Sequence, residues 1–283
     1  ERSCIICHKD IRIGLIIVGV SPNIQVSDLI AIGIGRVGID ADPDGLGPPP
    51  FIALIDIILI NDARTAADGY PDIVIGEPNV ASPSGRVQYY KGISFVSGSG
   101  NRYPNATLSA QAAGEKFGSS VAVGHLNGDS YADVVVGAPA KDTNDGAAYV
   151  FTANSGGSGI STGQSPDVTI PSQSVDEQLG FSVLVLDFDD DGTPGVVVGA
   201  MSADAGGTDR GRVYWFDAPL SDQTVDETMS GSQDNERYGY TLAGGKFSSD
   251  SRTIVVIGAN WWDKPGGGGT DNDGRVVVGF VSL

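Results

Sequence analysis

The stretch of the chain that decides the fold, residues 117–139, reads FGSSVAVGHLNGDSYADVVVGAP. It begins with an apolar residue and Gly, continues through a short strand-like run and an acidic loop, and ends in a valine run with Gly-Ala-Pro. The valine run and its Gly recur at 73–78, 196–201 and 255–260, about every 60 residues, and a fainter copy lies at 16–22. Self-similarity at such a period indicates a repeat architecture.

Each copy predicts the same order of elements. After the valine run comes a polar turn and a second β-rich segment, which is entered by Gly85, Gly146, Gly211 or Gly274. Asn-Asp-Gly at 144–146 and 272–274 favours tight hairpins, because these residue types tolerate positive φ. A unit of about 60 residues with roughly four short strands is typical of a propeller blade. We therefore predict an all-β fold, a β-propeller of four-stranded antiparallel blades.

The composition agrees with many short strands and excludes several classes of partner. The 283 residues include 41 Gly and 15 Pro, and only 18% are charged, which argues against a helical bundle. A net charge of −18 repels nucleic acid, so we expect no such partner.

The longest apolar stretch, residues 51–60, is shorter than the roughly 20 residues that a transmembrane helix needs. A start at Glu1 without Met fits a secreted, extracellular chain without its signal peptide, or a trimmed chain.

The Phe-Gly opening and the Gly-Ala-Pro end of residues 117–139 resemble the FG-GAP repeat of the integrin α-subunit β-propeller and its microbial relatives. The resemblance extends over residues 61–283. It is weak over residues 1–60, which we interpret as a divergent N-terminal segment with a degenerate first repeat. Integrin-type propellers usually have seven blades. The repeat spacing predicts about five blades for this chain, and the alternative is a fragment of a seven-bladed propeller.

This resemblance implies calcium in the loop before the valine run, which in the family reads D-x-[DN]-x-[DN]-G-x-x-D. Alternate side chains of such a loop point oxygens inward, Gly permits the bend, and a hard cation takes about six to eight oxygens. The best copy is residues 187–195. It has Asp187, Asp189 and Asp191 at the first, third and fifth positions, and Gly195 replaces the ninth-position Asp.

Two further loops are candidate calcium sites. Residues 125–133 keep Asn127, Asp129 and Asp133 but have His125 at the first position. Residues 40–45 match D-x-D-x-D-G outside the repeat register, and their carboxylates are those of Asp40, Asp42 and Asp44. The alternative for all three loops is that Asp, Asn and Gly simply form turns.

Residues 4–8 read CIICH and contain both cysteines of the chain, in the C-x-x-C-H pattern of c-type haem attachment. In that interpretation Cys4 and Cys7 bind the haem vinyl groups and His8 ligates the iron. Residues His125, Met201 and Met229 offer a sixth ligand. The alternatives are a disulfide or a pair of free thiols.

Trp261 and Trp262 follow the last Gly-Ala and precede a run of four Gly. Adjacent indoles between strands suit sugar stacking or a protein contact, because one of two neighbours usually faces outward. The alternative is that one indole lies in the core and the other is partly exposed.

The sequence offers little material for an enzyme. It has two His and no recognised catalytic motif, so we expect no catalysis. The leading hypothesis is a calcium-stabilised extracellular binding or adhesion module for protein or glycan. The first alternative is a secreted electron carrier with one covalent haem. The second is a self-assembling structural subunit of a surface filament.

Overall fold

The computed structural model describes residues 7–8, 11–12, 56–59, 72–80, 84–91, 103–153, 159–246, 253–263 and 274–280. These residues consist almost entirely of strands and turns. They also include a helical turn at Lys141–Asn144 and a 3₁₀ helix at Leu220–Asp222. In chain order the strands are β1 (Cys7–His8), β2 (Ile11–Arg12), β3 (Asp56–Leu59), β4 (Ile73–Glu77), β5 (Arg86–Tyr90), β6 (Ala106–Ser109), β7 (Ser120–Gly124), β8 (Asp133–Ala138), β9 (Ala147–Phe151), β10 (Val168–Pro171), β11 (Leu179–Leu186), β12 (Gly195–Ala200), β13 (Arg212–Phe216), β14 (Glu227–Ser230), β15 (Tyr238–Lys246), β16 (Thr253–Ala259) and β17 (Arg275–Phe280).

Four antiparallel sheets follow one another along the chain, and we call them blades 1 to 4. They are formed by β3–β6, β7–β10, β11–β14 and β15–β17, and neighbouring strands pair in chain order. In blade 2, for example, Val135 lies opposite Ala122 on one side and Val150 on the other. The predicted all-β fold with antiparallel propeller blades is confirmed. The faint copy at 16–22 lies outside the described residues, so a total of five blades stays a prediction.

Glycines occupy the joints between blades because backbone from the next blade lies against them. Gly76, at the end of the valine run of blade 1, has no room for a side chain, since a Cβ there would lie 2.2 Å from the Gly118 carbonyl oxygen of blade 2. Gly137 and Gly199 meet the carbonyls of Gly180 and Gly239 in the same way. The repeating Gly therefore marks the place where two blades touch.

The apolar residue of each Phe-Gly-type pair packs against the preceding blade. The backbone N–H groups of Phe117, Leu179 and Tyr238 each donate to a carbonyl of the preceding blade at 2.9 Å. Phe117 is fully buried in one cluster with Val87 and Tyr89 of blade 1. Such a joint buries a large aromatic or aliphatic side chain, which stabilises the fold by about 1.5–3 kcal/mol per residue.

A buried glutamate stands two residues before each of these pairs. Glu115, Glu177 and Glu236 are at most 1% exposed. Tyr149 Oη donates to Glu115 at 3.0 Å and Tyr214 Oη donates to Glu177 at 2.6 Å. The same carboxylates accept backbone N–H groups of the loops before β7, β11 and β15. Each glutamate thereby fixes the loop that positions the apolar residue of the next pair in the joint between blades.

Among the described residues, we find no helix that combines the length and the apolar character needed to cross a membrane.

Candidate metal centre

The acidic loop of blade 3 joins β11 to β12 and turns sharply on itself. Asp190 and Gly192 have positive φ values of 63° and 93°. The backbone N–H of Asp191 donates to Asp189 Oδ1 at 3.2 Å, and that of Thr193 donates to Asp191 Oδ1 at 2.7 Å. These bonds bring alternate side chains of the loop to the same side.

The carboxylates of Asp187, Asp189 and Asp191 converge on one point. One oxygen from each lies within 4.8 Å of the other two; Asp187 and Asp189 are half-buried and Asp191 is exposed. Across the described ranges, no other three Asp, Glu, His or Cys side chains form such a group. The three residues that the sequence predicted together are therefore together in space.

Further negative charge lies beside this loop, where β13 ends. The backbone N–H of Asp217 donates to Asp226 Oδ2 at 2.7 Å, and that of Ala218 donates to Asp217 Oδ1 at 2.8 Å. Burial raises the pKa of Asp217, and the hydrogen bond from Ala218 opposes that rise. Nearby carboxylates add to the rise in pKa, those of Asp189, Asp191 and Asp226. A bound cation would relieve this mutual repulsion.

The ninth loop position is filled by a neighbouring ring and not by a carboxylate. A Cβ at Gly195 would lie 2.5 Å from Phe188 Cε1 and 2.5 Å from the carbonyl oxygen of Phe216. Phe188 is itself buried in the core between blades 3 and 4. An Asp therefore does not fit at position 195, and carboxylates occupy three of the four acidic positions of the family pattern.

The donor set fits calcium. All three ligands are carboxylate oxygens, which hard cations prefer, and water completes the shell of a calcium ion in many protein sites. When bound, calcium supplies positive charge that offsets the repulsion among the acidic groups. The chain's own contribution is the tight loop that holds Asp187, Asp189 and Asp191 close together.

The corresponding loop of blade 2 is organised differently. Asp133 is fully buried and accepts the backbone N–H groups of Leu126 at 2.8 Å and Ala153 at 2.9 Å. Burial raises the pKa of Asp133 to about 6, although both hydrogen bonds act in the opposite direction. Asn127 and Asp129 bond to each other, with Asn127 Nδ2 donating to Asp129 Oδ2 at 3.0 Å. Here the carboxylate anchors the loop to the end of β9, and calcium at this loop stays a prediction.

The remaining predicted ligands lie largely outside the described residues. This holds for Cys4 and for all three carboxylates of the 40–45 loop. Cys7 and His8 lie on β1, where their backbones pair with Arg12 and Ile11. Calcium at residues 40–45 therefore stays a prediction, and haem at residues 4–8 stays one of the alternatives that the sequence leaves open.

The two adjacent tryptophans have different environments. Trp261 is 41% exposed, and the Arg237 guanidinium carbon lies 3.7 Å from the centroid of its ring. Trp262 is half-buried and packs against the core cluster that contains Trp215 and Tyr238. The outward-facing indole is therefore Trp261, and its partner belongs to the edge of the core.

Comparison with known proteins finds one repeat and several relatives that this chain resembles. A model of the FG-GAP repeat matches residues 117–151, which run from the Phe-Gly pair to the end of β9. Residues 117–151 are an FG-GAP repeat. The chain is also similar to phosphatidylinositol-glycan-specific phospholipase D, with 31% identity over 215 residues of the human protein and 30% over 218 residues of the bovine protein. Each match covers 69% of this chain and 25% of the relative, so the chain spans about a quarter of the length of these enzymes.

The sequence did not lead us to expect a role for two groups of residues. Glu115, Glu177 and Glu236 carry a usable signal, because Glu stands two places before every apolar–Gly pair that the FG-GAP pattern identifies in blades 2 to 4. Asp217 and Asp226 carry none, since they lie far along the chain from the loop and only the blade brings their charges near it.

Proposed function

We propose that this chain is a calcium-stabilised FG-GAP propeller segment that acts outside the cell as a binding module for protein or glycan. The observation that carries the proposal is the convergence of Asp187, Asp189 and Asp191 within one short loop of blade 3. An acidic loop without its cation is destabilised by self-repulsion, so calcium that binds only the folded chain raises stability by mass action.

The similarity to phosphatidylinositol-glycan-specific phospholipase D is compatible with a non-catalytic role. The aligned segment is about a quarter of each relative, and a quarter of an enzyme need not contain its catalytic residues. We propose that the chain itself does not catalyse hydrolysis. Incubation with a phosphatidylinositol-glycan-anchored reporter on vesicles should release no more protein than buffer does, and release above that level would contradict the proposal.

Thermal melting with and without calcium tests the metal site. The chain stripped with EDTA should melt at a lower temperature than the calcium-loaded chain; a hundredfold excess of ion over its Kd corresponds to about 2.7 kcal/mol. Asp189→Asn should abolish the difference. Asp176→Asn, which removes an exposed carboxylate from the loop before β11, should keep it. An identical melt for the stripped and loaded chain would refute a structural ion at this loop.

Trp261 is the surface feature that we assign to binding. An exposed indole stacked against a guanidinium offers a flat, rigid contact face, and such anchors commonly contribute about 2 kcal/mol or more to an interface. A screen against an array of defined glycans tests this assignment. Any captured glycan should be lost in Trp261→Ala while the melting temperature stays near that of the wild type, and capture unchanged by the substitution would exclude Trp261.

A further inference from the structure

The sequence contains one triplet of the kind that accepts an N-linked oligosaccharide. It consists of Asn105, Ala106 and Thr107, and no other Asn of the 283 residues is followed two places later by Ser or Thr. The middle residue is not Pro, as the acceptor pattern requires. Because the attached sugar is bulky and hydrated, the modified Asn must lie at the surface of the folded chain.

The fold places this triplet at the start of β6 with the acceptor side chain outward. The backbone N–H of Asn105 donates to the carbonyl oxygen of Tyr89 at 2.8 Å, so the pairing of β5 with β6 extends to this residue. Ala106 and Leu108 are 2% and 1% exposed and face the core. Side chains alternate along a strand, so Asn105 and Thr107 point to the opposite side. Asn105 is exposed and Thr107 is half-buried.

The hydrogen bonding of Asn105 is compatible with a sugar on its amide nitrogen. Its Oδ1 accepts the backbone N–H of Lys91 at 2.8 Å. N-glycosylation replaces one hydrogen of Nδ2 and leaves Oδ1 as an acceptor. The bond from Lys91 therefore persists in the modified chain.

We propose that Asn105 carries an N-linked oligosaccharide. The donor is an oligosaccharide attached to a lipid diphosphate, as the eukaryotic secretory pathway supplies it. A bond forms between Asn105 Nδ2 and C1 of the first sugar, and the bond between that C1 and the diphosphate oxygen breaks. The lipid diphosphate leaves, and the displaced Nδ2 proton passes to a base of the transferase. The proposal rests on the extracellular location proposed above and is independent of calcium and of Trp261.

The attached sugar has a structural consequence for the outer edge of blade 1. The last strand of this sheet is β6, and such edge strands offer backbone groups to other chains. A loop of blade 2 covers part of β6: the N–H of Thr107 donates to Thr162 Oγ1 at 3.3 Å, and its carbonyl accepts the N–H of Gly163 at 3.0 Å. Asn105 lies at the beginning of the strand, so the oligosaccharide shields that end of the edge.

Glycosidase digestion of the secreted chain tests the proposal. The chain is expressed behind a signal peptide in cultured animal cells, purified from the medium and treated with a glycosidase that cleaves the bond between Asn and the first sugar. Digestion should lower the apparent mass of nearly all of the secreted chain by one oligosaccharide. It should also leave a carboxylate at position 105, which peptide mass spectrometry locates.

Four variants assign the sugar to this triplet. Asn105→Gln removes the acceptor, and Thr107→Val removes the required hydroxyl while Asn105 and its bond from Lys91 stay in place. Both should abolish the change in mass on digestion. Thr107→Ser keeps a hydroxyl and should keep the change. The matched control is Ser109→Ala, since Ser109 is exposed on the same side of β6 and should not affect the sugar.

Two results would overturn the proposal: a wild-type chain whose mass does not change on digestion, and a change in mass that persists in Thr107→Val. Retention of the wild-type chain inside the cells would instead contradict the extracellular location. The same digestion of the retained chain, recovered from the endoplasmic reticulum, would then still decide whether Asn105 carries the oligosaccharide.

Discussion

Replacing Gly137 by Ala tests the joint between blades 2 and 3. The new Cβ would lie 1.9 Å from the Gly180 carbonyl oxygen and 2.3 Å from Ser120 Oγ. Neither atom can retreat easily, because Gly180 is backbone with φ 85° and Ser120 Oγ donates to that same carbonyl at 2.9 Å. Overpacking a buried site costs about 1–3 kcal/mol, and a lost buried hydrogen bond adds about 1 kcal/mol. Because the clash is with backbone, we expect a loss of about 3–4 kcal/mol in the free energy of unfolding.

Urea denaturation followed by tryptophan fluorescence measures this loss, and a thermal melt should fall by roughly 6–15 °C. The control is Gly163→Ala, where a Cβ meets no atom within 4 Å and only the positive φ of 72° is penalised. Adding Ser120→Ala to Gly137→Ala should recover part of the loss, because it removes one of the two clashing atoms. A cost for Gly137→Ala no larger than that of Gly163→Ala would refute the steric account of the repeating glycine.

Three further predictions concern single groups. The pKa of Asp133 is about 6 in the folded chain, against 3.8 for an unperturbed Asp. The stability that the protonated side chain contributes is therefore greatest below about pH 4 and is lost as the pH rises through about 6. Thermal melts in EDTA should show this loss in the wild type and not in Asp133→Asn. Trp262→Ala should cost about 1–3 kcal/mol of stability and Trp261→Ala about 1 kcal/mol or less, and equal losses would contradict the difference in burial. An absorption spectrum of the purified chain should lack a Soret band, and a band that survives acid-acetone extraction would instead establish covalent haem at the N-terminal cysteine pair.

The blades could be predicted because each joint between blades contains positions that have no space for a Cβ atom, and only Gly fits there. A position such as Gly76 or Gly199 must be Gly wherever a neighbouring carbonyl occupies the place of Cβ. This requirement recurs once per blade, so it appears in the sequence as a Gly repeated at a regular spacing. The apolar–Gly pair is visible for the same reason, since every joint needs both an apolar side chain and a residue with positive φ.

The roles of acidic residues could not be predicted in the same way, because they depend on partners that only the fold brings near. Asp133 matches a calcium-ligand position, yet its carboxylate bonds Ala153, which lies 20 residues further along the chain. The orientation of the two tryptophans is similar. Trp261 faces outward where Arg237, from the loop before β15, stacks on it, and no local pattern records that contact.

The acidic loops of blades 2 and 3 are held in place by different interactions. This difference favours a cation site in the blade 3 loop over one in the blade 2 loop. In blade 2 the loop is held from within, because the buried Asp133 ties Leu126 to the end of β9. In blade 3 the corresponding carboxylate is replaced by Gly195, and the ring of Phe188 fills its space. The carboxylates of Asp187, Asp189 and Asp191 in blade 3 lie close to one another, and the backbone N–H groups that Asp189 and Asp191 accept come from within the loop itself. We therefore propose that a cation stabilises the blade 3 loop, which has Gly195 in place of that anchor and brings three negative charges together, whereas the blade 2 loop already has its anchor.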